Sequence, residues 1–352
     1  MSRLTVFSLC AALGGAFVVS PGLRAENAAP PAALDEDAMA DAIETTVARV
    51  FEQSAPAVVR VESNDELGKV AGTGFFADAT GLIYTLSSVV GDGISITVTR
   101  GDKRLPARLL TKDPRSGLAL IKIDDSGATP FLPVGNCRAL KVASPLVVVG
   151  FPFDHDAAPS FGVIGGFDRQ SNGKFFTTTH IRANIPVQRG QGGSPVLNLD
   201  GEAVGILVSG FEDDDGCYVL PMRAAEKARN DYERFGDVRH GWAGVTVEEM
   251  PVAIRGSRMA IDVVDQSGPA AQGFRTGDVI LQVGAIEIRE PEDTLDASFF
   301  LTAGEPVDVR VARGDEILTI PLTPGEHPLE RKSELQALGP GSLIAPAPPA
   351  TP

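Results

Sequence analysis

"RGQGGSPVLNLDGEAVGIL", residues Arg189–Leu207, sets three glycines and a proline into its first seven positions, then two short apolar runs around Asn198-Leu199-Asp200-Gly201. Such a stretch reads as a tight turn followed by a pair of strands. The same texture recurs on either side. "AVVRVES" (57–63), "GTGFFA" (72–77), "ISITVTR" (94–100), "LALIKI" (118–123) and "PLVVVGF" (145–151) are β-branched or aromatic runs punctuated by Gly, Asp and Pro. With 43% hydrophobic residues, 38 Gly, 26 Pro and only 22% charged residues, the chain is expected to be mainly β, a barrel or sandwich pattern rather than a helical bundle. A length of 352 residues exceeds one ordinary core and suggests two or three folded units.

Residues 1–25 carry Arg3, an apolar stretch from Leu4 to Ser20 and then "PGLRA". This is the layout of a secretory signal, with cleavage after Ala25. The competing reading, a retained membrane anchor, is disfavoured by the short stretch and by Gly14 and Gly15. A lipoprotein signal at Cys10 is disfavoured because Leu9 stands where a small residue is wanted. The expected destination is the periplasm or the extracellular space, with no integral membrane domain in the mature chain.

Export leaves Cys137 and Cys217 as the mature cysteines. They could form a disulfide in an oxidising compartment or act as two buried thiols, and both readings stay open. The four histidines are scattered without metal-ligand spacing, so neither metal nor cofactor is expected. A formal net charge of -15, more acidic still once the two arginines of residues 1–25 are removed, argues against nucleic acid or anionic lipid as a partner. The run Glu212-Asp213-Asp214-Asp215 reads as a solvated turn in preference to a cation site.

Along the chain, residues 26–33 form an Ala/Pro-rich linker. Met39, Ile43, Val47 and Phe51 then fall four apart within 35–52 and mark one apolar stripe on a helix, so that 26–53 is linker plus amphipathic helix. The first β unit is expected over 54–228. A charged, helix-prone break at 224–239 separates it from a second β-rich unit that opens at "HGWAGVTV" and runs over 240–324. Residues 325–352, dominated at their end by Pro and Ala, read as a tail with too little apolar patterning to offset ordering entropy.

At "GTGFFADATGLIYTLSSVV" (72–90), "DPRSGLALIKI" (113–123), "VFEQSAPAVVRV" (50–61) and "NLDGEAVGI" (198–206), residues 48–222 resemble the HtrA/DegP-type, trypsin-like serine proteases. The resemblance implies a trypsin-like double β-barrel followed by a PDZ domain. It also implies where a catalytic triad would stand. The family's "TNxHVV" segment matches Thr85-Leu86-Ser87-Ser88-Val89-Val90, which puts Ser88 in the place of the general base. A hydroxyl cannot take and return a proton near neutrality as imidazole does. The family's "DPxxDLAVLKI" puts Gly117 in the place of the orienting aspartate, whereas Asp113 matches an earlier loop residue. "GNSGGP" matches Gly190-Gln191-Gly192-Gly193-Ser194-Pro195 and puts Gly192 in the place of the nucleophile, where acyl transfer needs an oxygen or sulfur beside a base. No catalytic residue is therefore expected. The amides of Gly190 and Gly192 remain as an oxyanion loop, and the sole rescue is Ser194 as a displaced nucleophile with His180 as a displaced base.

Residues 240–324 resemble a PDZ domain through "GWAGVTVEE" (241–249), "SGPAAQGFRTGDVILQVGAIEI" (267–288) and "EPVDVRVARGDEILTIPL" (305–322). Gly241 and Gly244 would let successive N–H groups turn toward a terminal carboxylate, and the edge from Val245 to Val247 would accept a peptide as an added strand. Trp242 and Ala243 lie between them, and Trp242 reads equally as core or as a wall of the ligand site. Peptides or protein C-termini are the expected partners. The alternative is a PDZ fold used only for packing or oligomerisation. The resemblance further suggests a homotrimer, or a mixed oligomer with an active HtrA-type protease. Two functions follow: an exported, inactive peptide-binding scaffold, holder or regulator, and a working endopeptidase with unorthodox residues.

Overall fold

A computed structural model describes residues 36–65, 68–92, 95–124, 127–171, 174–210 and 216–328. The expected signal segment with Cys10, the 26–33 linker and the acidic run 212–215 lie outside them, as does the tail from 329 onward.

Helix α1 (Glu36–Ser54) covers the expected amphipathic stretch. Val50 is fully buried and Val47 and Phe51 pack beside it, while Met39 and Ile43 of the same stripe stay exposed. The first barrel follows: β1 (Val58–Asp65), β2 (Gly68–Phe76), β3 (Leu82–Leu86), a single helical turn α2 (Ser87–Val90), β4 (Ile96–Arg100), β5 (Lys103–Asp113) and β6 (Leu118–Ile123). These strands close in the order β1-β2-β3-β6-β5-β4. Every residue of β3 is buried, and Ile83, Val98, Leu120 and Ile121 are buried in the same apolar core. The second barrel comprises β7 (Pro145–Gly150), β8 (Ala158–Ser171), β9 (Lys174–Ala183), β10 (Pro195–Leu197), β11 (Ala203–Gly210) and β12 (Cys217–Pro221), closed as β10-β11-β12-β9-β8-β7. Closure removes exposed strand edges, and buried apolar side chains cluster within both barrels.

The charged break is helix α3 (Met222–Phe235), whose Ala224, Ala225 and Ala228 join the barrel core and whose Lys227 and Asp231 are buried as an ion pair. It stops at Gly236, whose N–H reaches the Tyr232 carbonyl at 2.8 Å. The second β unit contains β13 (Val245–Ile254), β14 (Ser257–Val264), β15 (Val279–Val283), β16 (Ile286–Glu287), helix α4 (Pro291–Phe300), β17 (Val307–Arg313) and β18 (Glu316–Leu322). Its sheet runs β13-β14-β15-β17-β18 with β16 on β15, which leaves β13 at an edge. Glu290 and Asp293 cap α4 reciprocally around Pro291, and this sets the helix start. Just past the expected end of this unit, Gly325 pairs with Trp242 in both directions, at 2.7 and 2.9 Å.

Helix α4 ties the second unit to the barrels. Buried Asp296 accepts from Thr178 Oγ1 at 2.5 Å, from the Thr179 N–H at 3.0 Å and from Arg223 at 2.8 Å. Arg169 on β8 pairs with Asp293 at 2.7 Å. Nearby, buried Asp113 accepts from His240 Nε2 at 2.8 Å, from Ser116 Oγ at 2.6 Å and from the Arg115 N–H at 2.9 Å. Burial pushes both carboxyls up. For Asp113, the His240 bond and charge outweigh that push, and for Asp296 the Arg223 charge and the Thr178 and Thr179 bonds do so, leaving each below its usual value of 3.8.

Two outcomes are expected. Asp296→Ala should cost about 1.5–3 kcal/mol, the worth of hydrogen bonds to a charged group, and should free the second unit, which limited proteolysis at the 236–240 connection and small-angle scattering would register. Because both carboxylates are depressed, their contribution is complete above the ordinary carboxylate range and is lost as pH falls through the lowered values. Acid titration should therefore separate the units below about pH 4, with a shallower transition in Asp113→Asn.

Candidate functional site

The Gly190–Ser194 turn is built on Thr73, a fully buried residue of β2. The Thr73 N–H donates to the Gly192 carbonyl at 2.9 Å and its hydroxyl to the Gly190 carbonyl at 2.8 Å. The same hydroxyl accepts the Phe151 N–H at 3.2 Å, while the Thr73 carbonyl accepts from Thr85 Oγ1 at 2.8 Å. Gly193 lies at φ +88° with its Cβ position 2.1 Å from the Thr73 carbonyl oxygen, so conformation and space both require glycine there. A Cβ at Gly190 would fall 2.4 Å from the Phe151 carbonyl oxygen.

Three positions converge beside this turn. Gly192 faces Leu86, whose Cδ1 would stand 3.4 Å from an added Cβ. Leu86 leads into α2, where Ser88 is exposed, and the Ser87 N–H donates to the Gly117 carbonyl at 2.7 Å. Gly117 has open space around its Cβ position but sits at φ +74°, where a side chain is strained. Position 192 thus has room for a side chain in an ordinary backbone conformation, whereas position 117 does not take one freely. The N–H groups of Gly190 and Gly192 enter no backbone hydrogen bond of the turn among the described residues.

Ser194 is fully buried, its Cβ and Oγ pressed against Gly150, and its Oγ has no hydrogen-bond partner. His180 is buried on β9, stacked 4.3 Å from Phe176, with Nδ1 on the Thr178 carbonyl at 2.8 Å. Burial lowers its pKa and keeps the ring neutral, despite the opposing Thr178 bond and Asp296 charge. No hydrogen bond joins Ser194 to His180, and the solvent-facing wall of the turn carries neither. Cys137 and Cys217 are free thiols, so the disulfide left open by the sequence is not formed. Burial pushes the Cys217 thiol up to about 12, which makes it an unreactive member of the second barrel core.

The second concavity lies in the sheet unit between β13 and α4. It measures about 250 Å³ and is lined by Gly241, Trp242, Ala243, Val245 and Val247, with Leu295 opposite. Of the predicted residues only Gly244 is absent from its wall; it makes the turn that aims β13. Gly241 serves close packing, since a Cβ there would collide with Pro324 and Leu301. Its N–H donates to the Leu301 carbonyl at 2.7 Å and that of Trp242 to Gly325 at 2.7 Å. The loop's remaining donors are therefore Ala243 and Gly244. The half-buried Trp242 ring is a wall of the groove and meets His327 edge-on at 5.6 Å.

Thr73 and the His240–Asp113 pair escaped sequence reading. Thr73 stands inside the quoted "GTGFF" run without a signal of its own, and His240 is 127 residues from its partner.

Fold and site define the class: a trypsin-like peptidase double barrel carrying a PDZ domain, in the HtrA/DegP-type arrangement. Residues 72–206 match the family model for a trypsin-like peptidase domain and residues 231–323 that for a PDZ domain. The chain is 30% identical over 274 residues to a "Probable periplasmic serine endoprotease DegP-like" of Pseudomonas fluorescens, covering 74% of this chain and 57% of the relative. It is 28% identical over 285 residues to a protein of the same name from Rhizobium meliloti, covering 77% and 56%. The chain thus spans just over half the length of these relatives. Among solved structures, "HtrA-type protease AlgW with tripeptide" superposes with a TM-score of 0.67 at 22% identity, covering 80% of this chain and 97% of the other. The serine endoprotease from Yersinia pestis does so with 0.59 at 24% identity, covering 80% and 98%. Both are likenesses of fold.

Thr73→Val should leave the Gly190 carbonyl and the Phe151 N–H unpaired in a dry site and cost about 1–3 kcal/mol. Urea unfolding of the variant beside the parent protein measures it.

Proposed function

We propose that this chain is an exported HtrA-type pseudoprotease, which holds peptides or protein C-termini in its PDZ groove and performs no peptide hydrolysis. The observation that carries the reading is the make-up of the turn wall. Ser88, Gly117 and Gly192 occupy the positions where the resemblance calls for base, acid and nucleophile, and none can supply that chemistry. Ser194 offers no substitute: a hydroxyl sealed against Gly150 without a base cannot reach a scissile carbonyl. Amides at Gly190 and Gly192 could polarise a carbonyl, yet without a nucleophile such a hole retains about 10³–10⁴ of acceleration over water in triad knockouts.

The PDZ groove supports the binding half of the proposal. Its floor is apolar, β13 presents an unpaired edge, and Ala243 and Gly244 lead into that edge with unspent N–H groups. Export to the periplasm accords with the names of the relatives and with the Arg3 to Ala25 segment. Assembly as a homotrimer or with an active HtrA-type protease belongs to the same proposal. The names of the relatives favour a second reading, a serine endopeptidase.

Fluorophosphonate labelling and casein degradation separate the two. The purified protein should neither label nor degrade casein while an active HtrA-type control does both, and Ser194→Ala should change nothing. Labelling at Ser194 with casein cleavage abolished in Ser194→Ala would establish the endopeptidase. Gly192→Ser should fold normally, given the 3.4 Å clearance to Leu86, and remain inactive for want of a base at position 88.

A further inference from the structure

We propose that Glu248 makes the PDZ groove selective for polypeptide C-termini with an apolar last residue and a lysine or arginine at the fourth position from the end. The inference rests on the PDZ groove acting as a C-terminus site, and it specifies which C-termini enter.

The register follows from strand geometry. A terminal carboxylate on the Ala243 and Gly244 amides places the ligand's last residue beside Val245. Antiparallel addition to β13 then sets each preceding ligand residue against the next residue of the strand, at Thr246, Val247 and Glu248 in turn. β13 continues from Val245 to Glu249 with no extra residue of its own, the local bulge being the additional Asp262 on β14. Side chains alternate along it. Val245 and Val247 point into the apolar cavity, while Thr246 and Glu248 are exposed on the opposite face. The last ligand residue and the third from the end therefore face the cavity with Val245 and Val247, and the fourth from the end lies directly across from Glu248 on the outer face.

The charge at Glu248 is uncommitted. It has no ion pair among the described residues, and its neighbour on β14 is Ala260. Arg258, two residues along β14, is already engaged by Glu249 at 2.7 Å and by the Met250 carbonyl at 3.3 Å. A cation arriving on the added strand would meet an unpaired carboxylate at cross-strand distance, whereas an acidic residue there would be repelled. The overall charge of -15 acts in the same direction on any ligand.

The test is fluorescence anisotropy of the full chain with labelled decapeptides ending in Leu, identical except for Lys, Ala or Glu at the fourth position from the end, plus the Lys peptide as its C-terminal amide. The expected order is Lys over Ala over Glu, each step about twofold to fivefold in Kd, shrinking in high salt. Glu248→Lys should reverse the order, Glu248→Gln should flatten it, and the amide should not bind. Equal binding of the three acids, or an order unchanged in Glu248→Lys, overturns the charge selection and leaves C-terminus binding standing. Absence of binding by any peptide overturns both. Because Glu248 is exposed and makes no contact that either variant would break, loss of folding does not confuse the comparison.

Discussion

One buried threonine holds the Gly190–Ser194 turn in place. Thr73 uses its N–H, hydroxyl and carbonyl at once, and its partners come from the turn, from β3 and from the segment after β7. It therefore joins the first barrel to the second at the point where their rims meet. In a dry setting each of these bonds is worth more through the penalty of leaving it unmade than through its own net strength. The turn is held by main-chain groups, the Gly192 carbonyl among them, and by the side chains of Thr73 and Gln191. Gly117 and Gly192 enter the framework through their carbonyls and Ser88 is exposed, so the fold draws on no side chain at these three positions.

A second knot lies at the loop between β5 and β6 of the first barrel. The Asp113–Gly117 loop is gripped by His240 through Asp113, by Thr177 through the Arg115 carbonyl at 2.6 Å, and by α4 through Arg115, which reaches the Ser298 carbonyl at 3.3 Å and lies over Phe299. Asp296 repeats the arrangement on the other barrel. The PDZ domain is thus seated on both barrels by charged groups with nearly complete sets of partners. Unpairing any one of them leaves a charge in a site with little water, which is costlier than the pair is favourable.

Much of this was legible in the chain itself. The β-rich runs around "GTGFF" and "LALIKI", the helix-prone charge cluster before Arg239 and the glycine-spaced "GWAGV" each carry a local signal that the fold obeys. The resemblance then placed positions 88, 117 and 192 side by side although they are far apart in sequence. What sequence could not supply was anything set by distant pairing. Gly241 looked like a residue chosen for its backbone freedom, yet it is small because Pro324 and Leu301 press on it. Ser194 and His180 looked like reserve catalytic groups, and the structure packs Ser194 against Gly150 and sets His180 on the Thr178 carbonyl, with no hydrogen bond between the two. Gly325 looked like the start of a tail, and it is held to Trp242 by an isolated bridge.

Helix α4 has two occupations. One side, with Leu295, borders the groove beside β13, while the other is bolted to the barrels through Asp293 and Asp296. A groove wall fixed from behind has already lost the freedom that an isolated helix would surrender on meeting a ligand. Binding then spends less on ordering the receptor, and discrimination falls to the ligand's own sequence and to the rigid shape it must match.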